Sequence, residues 1–136
     1  MPHIIVFEDD ATVLEFYGDL LSREGYHVTL VRGCRVSPAD VSALQPDLVI
    51  VNLAHRDPES DADVLARLRA DTAPGHPPVM VCSGDVRLIR KLDEQLRAWC
   101  CAVVPKPFDL DDLLGAVRSC LARGAATSGL AFHDAA

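Results

Sequence analysis

Short apolar runs alternate with helical stripes along most of the chain. Ile4 to Phe7 is a continuous apolar run, the pattern of a strand buried on both faces. Val13, Leu14, Tyr17, Leu20 and Leu21 then recur at helical spacing. Asp9 or Asp10 is placed to cap that helix, and Gly25 to end it. His27 to Val31 reads as a second strand. Ser37 and Pro38 form an N-cap and first-turn pair that opens a short helix through Val41 and Leu44. Leu48 to Val51 is the most apolar strand, which predicts a central position. Val64, Leu65 and Leu68 mark a helix over 61–70. Val79 to Cys82 is a fourth strand, and Leu88, Ile89, Leu92 and Leu96 stripe a helix over 85–99. A short fifth strand spans Ala102 to Val104. Asp109 then caps a last helix through Leu113, Leu114, Val117 and Leu121.

Five strands alternating with five helices predict an α/β fold, a doubly wound parallel sheet covered on both faces. The folded domain is expected over 1–122. Residues 123–136 lose the periodicity, are rich in small side chains, and read as a flexible tail.

Composition narrows the class. A chain of 136 residues, 49% hydrophobic and 24% charged, suits one globular core. No apolar run approaches the ~20 residues that span a bilayer, so no membrane role is expected. MPHIIVFEDD lacks the basic region of a secretory signal, and a cytoplasmic location is the expectation. The net charge of −7 argues against nucleic acid as a partner, because that needs a basic footprint. The five cysteines are odd in number and show no CxxC spacing, so free thiols are expected.

In a doubly wound sheet the carboxyl ends of the strands meet at one edge, and ligands bind there. Glu8, Asp9 and Asp10 follow the first strand, Asn52 the third, Ser83 and Gly84 the fourth, and Lys106 the fifth. Crowded carboxylates repel unless a cation joins them, and hard oxygen ligands suit Mg2+. A lysine and a hydroxyl at the same edge suit phosphoryl oxygens.

IIVFEDD at 4–10, PDLVIVNL at 46–53, VMVCSG at 79–84 and PKPFDLDDLL at 105–114 occur in an order and spacing that resemble the receiver domain of two-component response regulators. The resemblance covers about residues 3–122. It implies the flavodoxin-like, CheY-like fold with strand order 2-1-3-4-5. It places Glu8 and Asp9 on the acidic pair that binds Mg2+, Ser83 and Lys106 on the phosphoryl pocket, and Asn52 on the aspartate that takes phosphate from a histidine kinase.

Asn52 changes that chemistry. The family's carboxylate attacks phosphorus in line, with Mg2+ neutralising the developing charge. An amide oxygen carries no full charge and cannot form the acyl phosphate. Its carbonyl still ligates Mg2+, with weaker affinity because one charged ligand is gone. Two further departures accompany it. Val103 stands where receivers carry an aromatic switch, and the loop AHRDPESDAD displaces the usual proline to Pro58. A laboratory Asp-to-Asn substitution in an ordinary phosphorelay receiver would leave both standard, so three departures favour a natural atypical receiver. Phosphorylation at Asp57, Glu59 or Asp61 is the alternative. His55 reads as an exposed loop residue near the pocket.

The expected function is that of a stand-alone pseudo-receiver, not an enzyme, that signals by protein contact. Its partners would be signalling proteins, a histidine kinase or a downstream regulator, or a second copy. The face the family uses comprises the fourth helix, fifth strand and fifth helix, here residues 87–97, 102–104 and 110–121. Its charges are mixed, which also suits a plain solvated surface.

Overall fold

The computed structural model describes residues 1–32, 41, 43–53, 77–83, 100–105 and 109–135, of which 53, 100–103, 105 and 123–135 as backbone only. Five strands form one sheet: β1 (His3–Glu8), β2 (His27–Arg32), β3 (Leu48–Leu53), β4 (Val79–Ser83) and β5 (Cys100–Pro105). The order is β2-β1-β3-β4-β5 and every pairing is parallel. This is the order and sense that the sequence predicts, with the most apolar strand in the middle.

Helix α1 (Ala11–Arg23) returns the chain from β1 to β2. Its ends explain its length. The Asp10 carboxylate accepts hydrogen bonds from the backbone N–H groups of Thr12 and Val13 at 2.8 and 3.2 Å, so Asp10 rather than Asp9 is the N-cap. At the other end the Gly25 N–H donates to the Ser22 carbonyl at 3.0 Å, and the Tyr26 N–H to the Leu21 carbonyl at 3.2 Å. That pair of bonds is a Schellman closure, and Gly25 takes the left-handed conformation it requires, with φ 88°. Tyr26 packs against the same core as Leu21, the apolar contact that usually accompanies such an end. Gly25→Ala is expected to cost roughly 1–2 kcal/mol through the left-handed penalty. A chemical denaturation midpoint would read it, with an unchanged slope.

One face of the sheet presents Ile4, Val6, Leu48, Ile50, Met80, Cys82 and Val104 to Leu14, Tyr17 and Leu21 of α1 and to Leu113, Val117 and Cys120 of the last helix, α2 (Leu110–Ala135). The opposite face, Ile5, Phe7, Val49, Val51, Val79 and Val81, is buried as completely. Both faces are therefore apolar, which accounts for the continuous hydrophobic runs. At the amino edge His3 ties β1 to β2 and to Asp47, the residue before β3. Its N–H donates to the Asp47 carboxylate at 2.7 Å, its ring meets the Thr29 hydroxyl at 2.7 Å, and it stacks on His27 with ring centroids 4.5 Å apart.

The backbone of 123–135 continues α2 as helix; its alanines favour helix, its two glycines lower the propensity, and no proline interrupts the segment. One expectation is revised. Cys120 is disulfide-bonded, against the expectation of free thiols, while Cys82 is a buried thiol outside any disulfide. Sequence spacing carries no information about pairings made across packed elements. The helices expected over 61–70 and 85–99, and most of the one opening at Ser37, lie outside the described residues.

Candidate functional site

The carboxyl ends of β1, β3 and β4 bring Glu8, Asn52 and Ser83 to one edge, as the topology requires. Each lies inside its strand rather than after it. β1 runs through Glu8, β3 through Leu53 and β4 through Ser83. All three are buried, with relative exposures of 3%, 1% and 0%. Three polar side chains held in the ladder at the end of apolar strands are costly to bury without partners or ligands.

The acidic trio divides its labour. Asp10 is exposed and committed to capping α1. Glu8 is folded inward, and its carboxylate accepts the Asp10 N–H at 3.0 Å. Asp9 is half-buried, and its carbonyl accepts from the Arg32 guanidinium at 3.3 Å. Glu8 and Asp9 are the two acids of the trio that do not cap the helix. The Asn52 carbonyl oxygen is buried and makes no hydrogen bond among the described residues. Asn52 pairs in register with Cys82, and Leu53 with Ser83, so the amide and the hydroxyl sit on adjacent strands one step apart.

Below this edge lies Tyr17, which the periodicity presents only as an apolar core position. It is fully buried. Burial, then the neighbouring Cys82 thiol, then the Glu8 charge hold its hydroxyl far above the usual tyrosine range. The signal was in the sequence: a tyrosine where an aliphatic residue would fill a core needs a reason for its oxygen.

Val103 pairs in register with Val81 within β5; its side chain, and all of Lys106, lie outside the described residues. His55, Asp57, Glu59 and Asp61 lie outside them as well. Among the described residues no three His, Cys, Asp or Glu side chains converge as a metal site. Two carboxylates and an orphaned amide carbonyl nevertheless fit Mg2+, which is held by one or two carboxylates and keeps several waters.

Comparison with known proteins bears on the fold. No protein-family model matches the chain. It is 29% identical over 119 residues to the DNA-binding transcriptional regulator NtrC of Rhizobium meliloti, covering 88% of this chain and 24% of that one. It is 27% identical over 127 residues to the DNA-binding dual master transcriptional regulator RpaA of Synechocystis, covering 90% of this chain and 50% of that one. The chain therefore spans half or less of the length of these relatives. A response regulator receiver domain protein of Clostridium thermocellum superposes with a TM-score of 0.78 at 20% identity, covering 93% of this chain and 99% of that one. The response regulator TrrA of Thermotoga maritima, solved in complex with Mg(2+)-BeF, gives 0.72 at 21% identity, covering 88% and 99%. The fold is that of the CheY-like response regulator receiver domains. No helix among the described residues is long and apolar enough to cross a membrane.

Proposed function

We propose that the chain is a receiver domain of two-component signalling that acts by protein contact and not through an aspartyl phosphate. The observation that carries the reading is Asn52. It is buried at the carboxyl end of the central strand, between Glu8 on β1 and Ser83 on β4. That is the place the receiver resemblance gives to the phosphoacceptor. An amide there lacks the full negative charge, and resonance draws its lone pairs away, so it is too weak a nucleophile to attack phosphorus.

Glu8, Asp9 and the Asn52 carbonyl would hold Mg2+, more weakly than a set with one more carboxylate. When bound, the ion supplies charge neutralisation at the edge. Ser83 and Lys106 would meet phosphoryl-like oxygens of a ligand. The domain would be biased between states by a partner that binds one state better. Signalling proteins of the same pathway, or a second copy meeting residues 87–97, 102–104 and 110–121, are the proposed partners, in the cytoplasm and without catalytic turnover. The relatives are DNA-binding by name. This chain's charge of −7 argues against its carrying that role itself.

Intact mass after incubation with acetyl phosphate and Mg2+ tests the reading. The parent is expected to gain no mass, and Asn52→Asp one phosphoryl group. A phosphorylated parent would refute the proposal and send the search to Asp57, Glu59 and Asp61.

A further inference from the structure

Tyr17 lies in the second turn of α1 and turns a hydroxyl into the protein beneath the acidic edge. That hydroxyl makes no well-formed hydrogen bond among the described residues. It stands beside the Cys82 thiol and within electrostatic reach of the Glu8 carboxylate. Cys82 is the register partner of Asn52, whose carbonyl is stranded in the same way. Strand alternation puts Glu8 two residues beyond Val6, and Asn52 two beyond Ile50, on the face that α1 covers. A donor whose partner is a weakly accepting thiol, and an acceptor with no hydrogen bond among the described residues, are thus buried under one edge. Phenylalanine would fill the same volume at no polar cost, so the oxygen calls for a use.

We infer that Tyr17 is a positioning residue for the cation pocket, its hydroxyl donating from below to the Glu8 carboxylate when a divalent cation engages Glu8, Asp9 and Asn52. Carboxylates that ligate metals are themselves held by outer hydrogen bonds, and those bonds fix which oxygen faces the ion. On this account one binding event satisfies both groups. The cation takes the Asn52 carbonyl, and Glu8 accepts a hydrogen bond from the Tyr17 hydroxyl, which keeps its proton. The inference rests on the cation reading proposed above.

The test is calorimetric titration with Mn2+ of the parent and Tyr17→Phe, repeated with both in the Asn52→Asp background. Melting temperatures in EDTA accompany it. Tyr17→Phe is expected to keep or raise the melting temperature in EDTA, because it deletes a buried hydroxyl that meets only a weakly accepting thiol. It is expected to weaken Mn2+ binding roughly tenfold in each background that binds. A tyrosine absorbance change during titration should vanish with it, leaving only the Tyr26 contribution. Unchanged affinity would overturn the inference. So would a lower melting temperature in EDTA, which would mean that the hydroxyl already has a partner. If only the Asn52→Asp background binds, and Tyr17→Phe weakens it, the role of Tyr17 stands and the claim that the parent holds a cation falls. If no background binds, both fall.

Discussion

Asn52→Asp should destabilise the protein in EDTA and recover when Mg2+ is added. The position is 1% exposed, and Glu8, buried at 3%, lies on the neighbouring strand. A new carboxylate there is a buried charge beside a like charge, a loss on the order of 2–4 kcal/mol. The sign with pH follows from the same crowding. Burial and the Glu8 charge raise the folded pKa of the new aspartate above its unfolded value of about 3.9. Relative to the parent, the variant therefore loses stability as pH climbs from about 4 through that raised pKa, and matches the parent more closely below it. A cation at a hundred times its dissociation constant would return about 2.7 kcal/mol. Melting curves at several pH values, with and without Mg2+, decide the matter. A variant as stable as the parent in EDTA, with no response to Mg2+, would show that the pocket is more open to water than its burial indicates.

Ile50→Ala should be the most damaging single truncation. Ile50 is fully buried in the middle strand, with Val6 its register partner on β1 and Met80 on β4. Neither sheet neighbour is free to close the gap. Loss of transfer energy plus the residual cavity costs roughly 2–5 kcal/mol, and alanine's weaker strand preference adds up to about 1 kcal/mol. Against a typical total of about 5–15 kcal/mol, this removes a large share of stability. Urea unfolding should show a lower midpoint with an unchanged slope. Native-like stability would mean that α1 and α2, which pack on the face Ile50 belongs to, can settle inward by a methylene or more.

Much of the fold was legible because both faces of the sheet are covered. The inner strands β1, β3 and β4 then read as apolar runs, and Leu48 to Val51 lies in the middle strand of the five. Strand ends were less legible. Glu8, Asn52 and Ser83 look like the first residues after a strand, because hydropathy stops there. The backbone ladder continues through them, since its hydrogen bonds do not depend on the side chain. Periodicity also hid Tyr17, which counts as apolar at its helical position while carrying the oxygen that matters at the site. The site's oxygen set was readable from order along the chain. What order could not supply was which acid serves the helix. Asp10 takes that task, and only the direction of its carboxylate toward Thr12 and Val13 reveals it.

The bond from the Arg32 guanidinium to the Asp9 carbonyl has a bearing on how fast ions arrive. It fixes a positive group at the rim of the edge that carries Glu8 and Asp9, at the end of the outermost strand. An incoming cation is drawn by the carboxylates and turned aside by the arginine, so the two fields partly cancel beyond a few ångströms. Association at this edge should therefore depend only shallowly on ionic strength, as expected when long-range steering is weak. Selectivity for what enters would be decided at contact, by the spacing of oxygens, and not by the pull of the protein at a distance.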